Sequence, residues 1–274
     1  MQTRKQFLIA GLMALTLATA HAAGDPMKIV VDGSTTVGPI AKAFAEYYMK
    51  AHPDVNITVS ESGSGNGAKG IINGACDVGT MSRAMKNEEL DAAKAKGRNP
   101  VQHTVAFDGI AVVVHPGNPV KNLAKDQLRD IFTGEIKNWK KVGGPDLKIV
   151  VISRDTNSGT YETFQEKVTK SERVTDRAEY VGSNGAVRQR VQSTPGAIGY
   201  VGLAFTEGVK AVTINGIEAT TENVIAKKYP ISRGLYMYTN GEPAAGTPLA
   251  DYVGLYKTEE GKKLIGEQGY VPVK

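Results

Sequence analysis

The sequence is poor in the residues that staple or metallate small proteins. Its 274 residues include one cysteine, Cys76, so no internal disulfide can form, and the lone thiol reads as a buried core residue. The four histidines lie far apart, and none has HExxH or Cys/His metal spacing, so no structural metal is indicated. Catalytic signatures are missing as well: there is no GxSxG elbow, no SxxK, and no Walker lysine after a glycine-rich loop. Asp77, Asp108 and Asp155 are available carboxylates, of which Asp77 reads as a cap or turn at a strand. His103 and His115 bracket an apolar strand, a setting more typical of surface or satisfied core histidines than of bases. No nucleophile and base can be paired from spacing, and no enzymatic reaction is expected.

Long apolar runs are equally scarce. FLIAGLMALTLATA, preceded by Arg4 and Lys5 and followed by Ala20-His21-Ala22, has the basic, apolar and small-residue regions of a secretory signal. The run is shorter than the roughly 20 residues a membrane span needs, and no cysteine follows that could be lipidated. Residues 1–22 are therefore expected to be a signal peptide cut after Ala22, leaving a soluble protein exported to the periplasm. Without Arg4 and Lys5, the 33 basic residues become 31 against 28 acidic ones, a net charge of +3. These charges are interspersed rather than gathered beside stacking aromatics, so no nucleic-acid partner is expected.

What remains is an alternation of strand-like and helix-like segments. MKIVV, NITVSES, CDVGT, FDGIAVVVH, KIVVIS and AIGYV are β-branched runs bounded by turn residues. GPIAKAFAEYYMKAH places Ile40, Phe44, Tyr47 and Tyr48 at helical spacing on one expected face. AKDQLRDIF, SGTYETFQEKV, GAVRQRVQS and PLADYVGLYKTEEGKKLIGEQG are further helix candidates. The class is α/β. HTVAFDGIAVVVH and YPISRGLYMYT are long enough to pass between two lobes, one built from residues 23–107 and 232–274, the other from 108–231.

Three turns share a design in which a strand ends, hydroxyl and glycine residues follow, and a helix begins. They are Gly33-Ser34-Thr35-Thr36, Ser62 through Gly67, and Arg154 through Ser158-Gly159-Thr160. A helix N-terminus presents unpaired N–H groups and about half a unit of positive charge, so it attracts anions. Each turn alone reads as an ordinary N-cap. Three together, with Arg154 offering a planar fork for two ligand oxygens, favour a bound anion over three separate caps. Gly63-x-Gly65-x-x-Ala68 also fits the dinucleotide fingerprint, but Met81-Ser82-Arg83 stands where the acid closing the next strand belongs. No cofactor is expected.

These loops carry a resemblance. DGSTTVGPI, SGSGNGAKGIINGACDVGTMSR, LRDIFTGEIKNW, RDTNSGT and PGAIGYV resemble, in order and spacing, the motifs of periplasmic phosphate-binding proteins of the Pst-type ABC transporter, across essentially the whole mature chain. The resemblance implies a type II periplasmic binding protein fold, two α/β lobes joined by two crossing strands. It implies inorganic phosphate as ligand and a membrane ABC permease as partner; another oxyanion such as sulfate or molybdate on the same scaffold, or less readily a secreted phosphatase or hydrolase, is the alternative, and a monomer is expected. Carried over by position, Ser34, Thr35, Thr36, Ser64, Ser82, Arg154, Ser158, Gly159 and Thr160 are expected to surround the ligand. Better-known members have an aspartate at the position of Ser82 that accepts the phosphate proton, and here Ser82-Arg83 ends the strand. Arg83 is then expected as a second cation in the cleft, and Asp108, with Asp155 behind it, as the proton acceptor.

Overall fold

The structure is a computed structural model that describes residues 25–274; the expected signal segment lies outside them. The chain begins with β1 (Lys28–Gly33), α1 (Gly38–Ala51), β2 (Asn56–Ser60), α2 (Ser64–Asn73), β3 (Val78–Met81) and α3 (Asn87–Ala95). The long β4 (Pro100–Val114) leads to β5 (Asn122–Leu123), α4 (Lys125–Thr133), β6 (Val150–Arg154), and α5 (Gly159–Phe164), which continues as a π turn over Gln165–Thr169. Then come β7 (Glu179–Val181), α6 (Asn184–Ser193), β8 (Ala197–Gly202), β9 (Lys210–Ala211), β10 (Thr213–Ile214) and α7 (Thr221–Ile225). The chain ends with β11 (Ser232–Asn240), α8 (Pro248–Gly254), α9 (Glu259–Glu267) and β12 (Val271–Pro272).

One sheet runs β2-β1-β3-β11-β4-β8-β6-β7. Its two halves meet in β4, which pairs antiparallel with β11 from Pro100 to Gly109 and with β8 from Ile110 to Val114. The outer strands on each side are parallel, so helices must cross between them. Two main apolar cores result. Ile29, Phe44, Ile57, Leu235 and Tyr252 pack on one side, while Val112, Phe132, Trp139, Phe164 and Tyr200 pack on the other. Trp139 is fully buried and its indole N–H donates to the Gly196 carbonyl at 2.9 Å, anchoring the segment after α4. The fold is thus the two-lobed α/β architecture expected, with Val271 near the C-terminus packing into the second core.

The differences from sequence have local causes. Tyr47 is 42 % exposed, because one residue is a 100° step and the buried stripe of α1 runs through Ile40, Ala41, Phe44, Ala45 and Tyr48. Cys76 is only half-buried, beneath Gly70, and burial together with Asp32 and Asp77 pushes its thiol up to about 12. The C-terminal helix candidate is two helices, because Thr258 accepts from the Gly261 N–H and starts a new one. The helix α3 had no apolar stripe to reveal it. It begins where Glu89 accepts from the Lys86 N–H at 2.9 Å.

Candidate functional site

The three hydroxyl-rich turns meet between the lobes. Ser34, Thr35, Gly63, Ser64 and Ser82 face Arg154, Ser158, Gly159 and Thr160 across a closed cleft. The first and third turns are built by local capping, the second by a bond from the next strand. Ser34 Oγ accepts from the N–H groups of Thr36 (3.1 Å) and Val37 (3.4 Å), and Ser158 Oγ accepts from those of Thr160 (3.2 Å) and Tyr161 (3.3 Å). Ser64, at the start of α2, accepts from the Ser82 N–H at 3.1 Å. The N-cap reading of these serines and the ligand reading are therefore compatible: an oxygen that accepts from the backbone leaves its own proton free to donate.

Arg154 lies at the end of β6 and is 1 % exposed. Its Nε donates to the Val181 carbonyl at 3.3 Å and its Nη2 to that of Gly182 at 2.9 Å, whereas Nη1 is buried without a hydrogen-bond partner. Burial, only partly offset by Asp155, pushes the guanidinium down to about 10. An orphaned charged donor in a cleft wall is costly unless an anion meets it.

Two expected contributors lie elsewhere. Arg83 is not a free cation in the cleft: its guanidinium makes a bidentate pair with Glu89 at 2.7 Å, and its Nε lies 2.7 Å from Glu162 on the opposite lobe. Lys86 joins Glu162 at 3.0 Å, so this cluster straps the lobes together at the cleft edge. Asp108 is wholly buried behind the cleft and does not line it. Its Oδ2 accepts from Arg233 Nη2 (2.9 Å) and Nε (3.1 Å), and its Oδ1 from the Leu203 N–H (3.1 Å). Burial pushes its carboxyl up against the downward pull of Arg233. Asp155 Oδ1 caps its own turn by accepting from the Asn157 N–H, and it too is absent from the lining. Asp77 accepts from the Val30 N–H, His103 pairs with Thr239, and His115 accepts from the Gly117 N–H, all structural duties.

Two residues that sequence reasoning passed over complete the arrangement. Arg233, at the start of β11, donates to Thr160 Oγ1 (2.9 Å), Thr36 Oγ1 (3.3 Å) and the Ser82 carbonyl (3.4 Å). A lone cation inside an otherwise apolar crossing strand was the available signal. Asn184, at the start of α6, donates to Thr35 Oγ1 and Thr36 Oγ1, each at 3.0 Å. Its Ser183-Asn184-Gly185 turn repeats the design of the other three. Thr36 thus stands one layer behind the lining and bonds Thr160 across the lobes at 3.1 Å. Asn157 adds two more interlobe bonds, donating to the Ser62 carbonyl at 2.9 Å and accepting from the Gly65 N–H at 3.0 Å. Among the described residues there is no cluster of metal-ligating side chains, and no helix is long and apolar enough to cross a membrane.

Two α/β lobes hinged on crossing strands and closed over a donor-lined cleft define a solute-binding protein. The PBP superfamily domain matches residues 18–255. The phosphate-binding protein PstS of Bacillus subtilis is 36 % identical over 249 residues, covering 89 % of this chain and 80 % of its own length. The protein of the same name from Borreliella burgdorferi is 30 % identical, covering 91 % of this chain and 92 % of its own. A crystal structure with bound phosphate from Clostridium perfringens is 36 % identical with a TM-score of 0.84, covering 90 % of this chain and all of that one. The chain belongs to the PBP superfamily and, within it, to the family of PstS phosphate-binding proteins.

Proposed function

We propose that this chain captures inorganic phosphate between its lobes and delivers it to a membrane ABC permease, without catalysing a reaction. The carrying observation is Arg154 Nη1, a buried cationic donor with no partner in a cleft otherwise lined by hydroxyls. Ser34, Thr35, Ser64, Ser82, Ser158, Gly159 and Thr160 share that cleft and supply the remaining contacts, while Thr36 supports them from behind. Homology with the phosphate-binding proteins names the ligand. In this reading, residues 1–22 direct export to the periplasm. Residues 23–107 with 232–274 form one lobe and 108–231 the other, and the mature protein acts as a monomer.

A second reading, in which sulfate or molybdate is the ligand, is favoured by one observation: no carboxylate lines the cleft. Calorimetric titration with phosphate, sulfate and molybdate decides between them. Phosphate binding that survives millimolar sulfate supports the first reading, and equal displacement by sulfate supports the second. Saturating ligand should also raise the melting temperature, because an anion bound only by the folded state stabilises it by mass action.

A further inference from the structure

Amide, guanidinium and backbone N–H groups only donate, so wherever one of them reaches a hydroxyl oxygen, that oxygen must accept. This fixes the polarity of most cleft hydroxyls. Ser34 and Ser158 each accept from two backbone N–H groups. Asn184 is oriented by the Gly202 N–H, which donates to its Oδ1 at 3.2 Å, so its NH2 faces Thr35 and Thr36. Thr36 Oγ1 then accepts from both Asn184 and Arg233, and its own proton is left for Thr160 at 3.1 Å. Thr160 Oγ1, already accepting from Arg233 at 2.9 Å, is thereby filled and turns its proton to the cleft. Ser34, Ser158 and Thr160, with both lone pairs taken, present protons to the cleft, as does Arg154 Nη1, while Thr35 has one lone pair taken by Asn184.

Ser82 differs. Among the described residues no N–H donates to its Oγ; its hydrogen-bond partner is the Ser64 hydroxyl at 3.3 Å, whose oxygen already accepts from the Ser82 N–H. The Ser82 proton can go to Ser64, which leaves a Ser82 lone pair for the cleft. We infer that Ser82 is the specificity-determining residue of this site: its Oγ accepts the hydroxyl proton of a bound monoprotonated oxyanion, amid donors that take the ligand's bare oxygens. The inference rests on the phosphate reading. It also replaces Asp108, whose carboxylate Arg233 and Leu203 occupy.

A hydroxyl can rotate to donate, so a bare oxyanion is disfavoured here far less than it would be by a fixed carboxylate. Titration calorimetry on the full mature chain tests this with phosphate and arsenate, which carry a proton near neutral pH, against sulfate, which does not. Wild type should prefer the protonated pair. Ser82→Ala should lower phosphate affinity about tenfold more than sulfate affinity, since it strands a buried donor on phosphate alone. Ser82→Asp should raise the phosphate-to-sulfate ratio by about a hundredfold or more, because an acceptor-only group repels sulfate. Thr160→Val, which removes a fixed donor, should weaken both anions and move their ratio by less than about threefold. Phosphate binding in wild type with a ratio that neither Ser82 variant moves overturns the Ser82 assignment alone. The same holds if wild type, with no variant needed, treats arsenate and sulfate alike while binding phosphate. Failure of wild type to bind phosphate overturns the functional reading and this inference with it.

Discussion

Two buried arginines stand on opposite lobes of the cleft, and their surroundings are unlike. Arg233 has a complete set of partners: the Asp108 carboxylate, two threonine hydroxyls and a backbone carbonyl. Arg154 has two backbone carbonyls and one nitrogen left over, with no carboxylate bonded to it. The first charge is neutralised in place and orders the hydroxyls around it. The second is held ready, and its burial, only partly offset by Asp155, is a cost that the folded protein carries until an anion arrives. The contrast separates a cation that orders its neighbours from one whose donor Nη1 still faces the cleft unpaired.

Of the two arginines, Arg233 is the costlier to remove. Arg233→Met strands the Asp108 carboxylate in the interior, and losing one partner of a buried pair costs about 3–5 kcal/mol. Urea unfolding should show that loss, and the double variant Arg233→Met with Asp108→Leu should recover most of it. A single variant as stable as wild type would mean that the pair is not what holds the hinge region.

Arg154→Met should do the reverse. Phosphate affinity should fall by about 2–5 kcal/mol, as expected for deleting one partner of a buried charged contact, while the ligand-free protein keeps or gains stability. The pH dependence has a definite sign. A base pushed below its ordinary value lowers folded stability wherever it is charged, so the penalty is fully present below about pH 10 and fades as pH rises through that value. Binding should fade over the same range, because the deprotonated guanidinium no longer attracts an anion. An Arg154 variant that binds normally would remove the contrast altogether.

Gly159 tests closure rather than charge. A Cβ there would sit 2.6 Å from Ser64 Oγ and 2.8 Å from Ser82 Oγ on the facing lobe. Short serine side chains cannot swing clear, so Gly159→Ala should wedge the lobes apart and weaken binding by about 1–3 kcal/mol, the usual range for overpacking. Small-angle scattering with saturating phosphate should register a larger radius than wild type.

The smallest effect belongs to the strap at the cleft edge. Glu162→Gln removes the counter-charge of Arg83 and Lys86 across the lobes, a part-exposed network worth about 0.5–1 kcal/mol. Ligand dissociation, followed by stopped-flow fluorescence, should quicken by a few-fold at low salt. Wild type should approach the variant as salt screens the pair.

Much of the site was legible because it is local. A strand end, a hydroxyl or glycine turn and a helix start are contiguous in sequence, and three such turns point their donors to one place once the strands lie side by side. Asp108 and Arg83 differ from expectation because charged partners, most of them distant in the chain, reach them. Asp108 and Arg233 are 125 positions apart, so nothing in the sequence near Asp108 shows that its carboxylate is taken. Arg83 resembled a ligand cation because it adjoins Ser82, yet Glu89 and Glu162 neutralise it from six and 79 positions away.

The α/β alternation, the hydroxyl-rich turns and the presence of a cation at Arg154 are written in neighbouring residues, because capping, periodicity and charge are local properties. Tertiary structure alone decided which charges are cancelled and which hydrogen bonds stay open. Those outcomes depend on buried groups from both lobes meeting, where each donor requires an acceptor and Arg154 Nη1 is left without one.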